Sequence, residues 1–153
     1  MGRLYTATFG NISQSAAGDL MQIVCGADTV IEIHSIFYGQ DDDVGDANAD
    51  MGRVEIIRAS VAGSGGVSIN ANSLDAGDGA DSATILRHNS TPASGTVTTL
   101  EIETFNWQSG WFFKPTPAEQ PVISGQGILV IRLADTPVAA HITSMTIIFE
   151  EIG

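Results

Sequence analysis

Met145-Thr146-Ile147-Ile148-Phe149-Glu150 places Met145, Ile147 and Phe149 on one face of an extended chain and Thr146, Ile148 and Glu150 on the other. Successive side chains of a strand point to opposite faces, so this is a strand that covers a core with one side only. Leu129, Ile131 and Leu133 repeat the pattern against Arg132. Ile31, Ile33 and Phe37 are read the same way, against Glu32 and His34. One apolar and one mixed face per strand is the pattern of antiparallel sheets packed on a core.

Working outward, short runs rich in Val, Ile, Thr and aromatic residues occur at 3–9, 20–25, 30–38, 53–60, 96–104, 110–114, 127–134 and 142–151. A weaker run lies at 83–87. Clusters of Gly, Asp, Asn, Ser and Pro separate them. No long segment has helical periodicity. Residues 11–19 fit either one helical turn or an irregular loop. Eight or so strands without intervening helices predict an all-β fold, an antiparallel two-sheet sandwich. Two long Gly/Asp-rich loops, 39–51 and 62–95, favour a jelly roll over an up-and-down barrel. No repeat of 20 to 50 residues is present, which removes solenoids and propellers.

The 153 residues suit one domain, 1–153, that folds without a metal or disulfide. Net charge is −12, from 18 acidic and 6 basic side chains. Such a surface repels phosphate backbones and anionic membranes, so no nucleic-acid or membrane partner is expected. The single cysteine, Cys25, lies in an apolar run and reads as a small buried hydrophobe. The start, Met1-Gly2-Arg3-Leu4-Tyr5, lacks a signal-peptide core, which predicts synthesis in the cytoplasm.

Catalytic signals are missing. There is no GxSxG elbow, no HExxH and no phosphate-binding glycine motif. His34, His88 and His141 are far apart in sequence. No enzyme and no cofactor are predicted. The acidic loops offer Asp41, Asp43 and Asp46, and Asp78 and Asp81, as oxygen ligands for Ca²⁺. Neither loop has EF-hand spacing, and Gly77-Asp78-Gly79-Ala80-Asp81 is at best one unit of a calcium repeat. Solvated turn residues are the competing reading. The densest aromatic stretch runs from Phe105 to Pro121 and holds Trp107, Trp111, Phe112 and Phe113. Three readings stand: a core plug ending in a rigid proline turn, a subunit interface, or a ligand platform.

Several stretches resemble head decoration, or cement, proteins of tailed bacteriophages. They are Met1 to Phe9, Ile31 to Gln40 with the acidic loop after it, Val54 to Arg58 with its Gly-rich loop, and the aromatic-proline stretch leading into Gly127 to Leu133. The resemblance implies a jelly-roll homotrimer on the outer capsid surface of the virion. There it would bridge major capsid proteins and stabilise the head, without enzymatic activity. On that reading Trp107, Trp111, Phe112 and Phe113, with Arg3 and Tyr5 of the first strand, are the expected interface residues. A carbohydrate-binding jelly roll with Ca²⁺ in an acidic loop is the alternative, as is a tail or fibre component.

Overall fold

A computed structural model describes residues 2–42 and 50–153. Asp43 and Asp46 lie outside the described residues. The strands, in chain order, are β1 (Arg3–Gln14), β2 (Gly18–Val24), β3 (Val30–Gln40), β4 (Met51–Val61), β5 (Val67–Ile69) and β6 (Asn72–Ser73). They continue with β7 (Thr84–Arg87), β8 (Ser94–Asn106), β9 (Trp111–Phe113), β10 (Val122–Ser124), β11 (Ile128–Leu133) and β12 (His141–Ile152). The described residues include no helix.

The strands form two antiparallel sheets in a sandwich-like arrangement, as the alternation predicts. The first sheet runs β10-β3-β12-β1-β6, with β9 also paired to β3. The second runs β5-β7-β2-β11-β4-β8. Their inner faces supply one core: Tyr5 and Ala7 from β1, Ile23 from β2, Ile56 from β4, Leu129, Ile131 and Leu133 from β11, and Met145, Ile147 and Phe149 from β12. Cys25 belongs to this core, and its thiol donates to the Thr29 carbonyl at 3.1 Å.

Bulges in β3, β2 and β1 change which residues face inward. In β3, Ser35 pairs with Ile148 and Ile33 with Phe149, so His34 is an extra residue without a cross-strand partner. An extra residue inverts the alternation beyond it. Ile31 and Ile33 therefore point inward before the bulge, and Ile36 and Tyr38 after it. Phe37, expected to share the face of Ile31 and Ile33, is exposed instead. In β2 the skipped residue is Leu20, so Met21 and Leu20 are both in the core and Asp19 faces outward. In β1 the shift falls between Phe9 and Ile12, where Asn11 adopts φ 58°. Asn tolerates that left-handed conformation, so residues 11–14 continue the strand and make no helical turn.

The 62–95 segment is more than a loop. Part of it forms β5, β6 and β7, and part folds over the outer face of the second sheet. There Ile57, Ala93, Ile128 and Val130 make a second small core. Gly63 passes so close to the Thr91 carbonyl and the Ala93 amide that a Cβ would collide with both.

Candidate functional site

The aromatic stretch divides between inside and outside. Trp107 is buried, stacked on His141 with ring centroids 4.3 Å apart and edge-on to Tyr38 and Phe105. Trp111 is also buried, and its indole N–H donates to the Glu103 carboxylate at 2.8 Å, tying β9 of one sheet to β8 of the other. Tyr5 is fully buried, stacks on Phe149 and donates its hydroxyl to the Gly79 carbonyl. Tyr5, Trp107 and Trp111 were expected at an interface; within this protomer they are core residues with no surface to offer a partner. Neither buried indole can stack on a sugar, which removes both tryptophans as a platform for the carbohydrate reading. Arg3 is exposed, Phe113 packs at the margin of the core, and Phe112 is 60% exposed.

Phe112 belongs to a surface that the strand registers define. It pairs with Phe37 across the β9–β3 ladder, and the two rings lie 6.4 Å apart. Phe37 pairs in turn with Thr146 of β12, and Thr146 with Thr8 of β1. A neighbouring row holds Ser35, Ile148 and Thr6. A further row runs Val122, Glu32, Glu150 and Leu4. This outer face of the first sheet is made of Thr, Ser, aliphatic and aromatic side chains. Among the described residues its charged side chains are Glu32 and Glu150, with His34 beside them, and Asp41 at the end of β3, which accepts the Ser144 hydroxyl.

Beside Phe113, between β8 and the segment joining β9 to β10, lies an open cleft of about 330 Å³. Arg58, Leu100, Glu101, Phe113 and Glu119 contribute to its walls. The Thr116 hydroxyl and amide donate to Glu119 and hold its carboxyl below the ordinary range. The walls include no Ser, Thr, Cys or His, so this cleft offers no nucleophile paired with a base.

The aspartates expected to hold Ca²⁺ are engaged separately. Asp41 accepts from the Asn11 amide and the Ser144 hydroxyl, closing the ends of β1, β3 and β12. Asp78 closes a turn, its amide donating to the Asp75 carbonyl. Asp81 has one buried, unpartnered oxygen, and burial first and Glu151 second raise its pKa. Among the described residues, Asp41, Asp78 and Asp81 form no group of three convergent carboxylate or imidazole ligands. The three histidines also go separate ways. His34 faces Glu150 at 3.1 Å, His88 bonds Gln14 at 3.0 Å, and buried His141 bonds Asp50 at 2.8 Å.

Among the described residues, the group of metal-ligating atoms that does converge is Glu32, His34 and Glu150, all within 4.8 Å of one another. The sequence reading placed Glu32 and His34 on one strand face but gave them no role. Glu150 lies 116 residues beyond His34, and only the β3–β12 register brings it near. No family model, curated protein or solved structure matches the chain.

Proposed function

We propose that this chain is a structural, non-enzymatic virion protein. On this reading it is a jelly-roll decoration protein that trimerises and bridges major capsid proteins on the outside of a tailed-phage head. The observation that carries the reading is the exposed Phe37–Phe112 pair on the outer face of the first sheet, set among Thr, Ser and aliphatic side chains. Depletion of charge with retention of aromatics is the compositional mark of a protein-contact core. The jelly-roll assignment draws support from the path of the chain. β1, β2, β3 and β4 enter alternate sheets in turn, and so do β10, β11 and β12. The phage setting rests on the sequence resemblance. Many weak contacts repeated over a capsid lattice suffice to hold such a protein in place.

The test is the mass of the purified protein in solution. A stable trimer is expected, and Phe37→Asp with Phe112→Asp should convert it to a folded monomer. A wild-type monomer at micromolar concentration would overturn the trimer. Antibody labelling of virions that carry the protein should mark heads; labelling confined to tails would replace the head assignment with a tail or fibre role.

A further inference from the structure

Glu32 and Glu150 face each other directly across the β3–β12 ladder. Like charges in that position repel and weaken a sheet unless a cation lies between them. None of the ion pairs made by the described residues brings a lysine or arginine to either carboxylate. Among the described residues, the basic group at hand is the His34 imidazole, its Nε2 3.1 Å from Oε2 of Glu150.

The three side chains are also positioned. His34 is the bulged residue of β3, and bulges redirect side chains. Glu150 accepts the Gly2 amide on Oε1 at 3.0 Å, which orients its other oxygen toward His34. A Cβ at Gly2 would collide with the Glu150 side chain, so the chain at Gly2 packs directly against this carboxylate. Leu4 and Val122, the ladder partners of Glu150 and Glu32, flank the group with apolar surface. His34 and Glu150 are half-buried.

We propose that Glu32, His34 and Glu150 form a binding site for one divalent transition-metal cation, of which Zn²⁺ is the type. A zinc ion binds His nitrogen and carboxylate oxygen at about 2.0–2.2 Å. Tetrahedral ligands at that radius are roughly 3.3–3.6 Å apart, a separation that three atoms already within 4.8 Å reach by small side-chain rotations. One imidazole and two carboxylates suit zinc and its neighbours better than Ca²⁺, which takes six to eight oxygens. The remaining coordination position is left to water. The cation would neutralise the facing carboxylates and cross-link β3 to β12. The site is complete within one chain and does not depend on the assembly reading.

The experiment uses tag-free protein stripped with a chelator and titrated with Co²⁺, followed by visible absorption, then displaced with Zn²⁺. One saturable site per chain is expected. Glu32→Gln and His34→Gln should each weaken binding at least tenfold, while Asp78→Asn should leave it unchanged. Glu32 accepts no hydrogen bond that its replacement would break, so E32Q tests the ligand without threatening the fold; circular dichroism verifies this. Absence of saturable binding, or saturable binding that E32Q and H34Q leave intact, would overturn the site.

Discussion

Asp19 and Arg132 are joined at 2.7 Å across the outer face of the second sheet, with the aspartate almost completely buried and the guanidinium partly so. The other Asp19 oxygen accepts the Ala93 amide at 2.7 Å, and Arg132 donates to the Ala93 carbonyl at 2.8 Å. Asn89 links Asp19 to Gln22, and Gln22 in turn accepts the Gly63 amide. The pair thereby fastens both ends of the 62–95 segment to β2 and β11. Removing one partner of a buried pair strands the other, at a cost of about 3–5 kcal/mol. Asp19→Ala should lower the free energy of unfolding by that amount in a urea titration. Amide exchange should accelerate at Gly63 and Ala93 first. A loss below about 1 kcal/mol would show that the network does not hold the segment.

Trp111 and Phe112 are neighbours with opposite roles. Trp111→Ala empties a core position and removes the bond to Glu103, so it should cost about 3–5 kcal/mol of protomer stability. Phe112→Ala removes only exposed surface and should stay within about 0.5 kcal/mol in stability. It should instead weaken self-association in sedimentation at equal concentration. If Trp111→Ala left thermal stability unchanged, or Phe112→Ala destabilised the protomer strongly, the division between core and face would be wrong.

Regular alternation made most of the fold readable in advance. Leu129, Ile131 and Leu133 face inward as their spacing requires, as do Met145, Ile147 and Phe149. The reading failed where a strand gains a residue. Phe37 was placed inside because period-two counting carries no trace of the bulge at His34, which the pairing with β12 creates. β10 was missed because its three residues follow a proline-rich stretch and gain strand character only from pairing with β3. The aromatic stretch was legible as unusual, but which aromatic is buried depends on β9 docking on β3. The Glu32, His34 and Glu150 group is a product of long-range register, which no local spacing encodes.

His88 supplies a pH dependence. It sits at φ 51°, edge-on to Phe9 at 4.8 Å, with Nδ1 buried and unpartnered. Burial, and then the neighbouring Arg87, lower its pKa from 6.5 to about 4. The fold therefore holds a neutral imidazole between those values, while the unfolded chain takes up a proton. Its contribution to stability is complete above pH 6.5 and is lost as pH falls through that window toward 4. Asn tolerates positive φ, so His88→Asn removes the titration while permitting the same backbone. The stability difference between wild type and H88N should shrink as pH falls from 7 to 4, measured by denaturant titration at each pH. A constant difference would remove His88 as the source.

Asp81 carries the opposite sign. Its pKa is raised by burial and by Glu151, whose carboxylate is held nearby by the Ser82 amide and hydroxyl, each at 2.8 Å. A carboxyl with a raised folded pKa binds its proton more tightly in the fold than in the unfolded chain. Its charge is therefore tolerated least at neutral pH, and the stability it withholds returns as pH falls through the folded pKa. Asp81→Asn keeps the shape and removes the repulsion. Discounted for the partial exposure of the site, the gain at pH 7 is on the order of 0.5–1 kcal/mol, or a rise in Tm of about 1–4 °C. At pH 3 the folded-state carboxyl is largely protonated and resembles the amide, so the two melting curves should converge. A variant that melts lower at pH 7, or whose advantage persists undiminished at pH 3, would show that the part-buried charge of Asp81 beside Glu151 does not destabilise the fold.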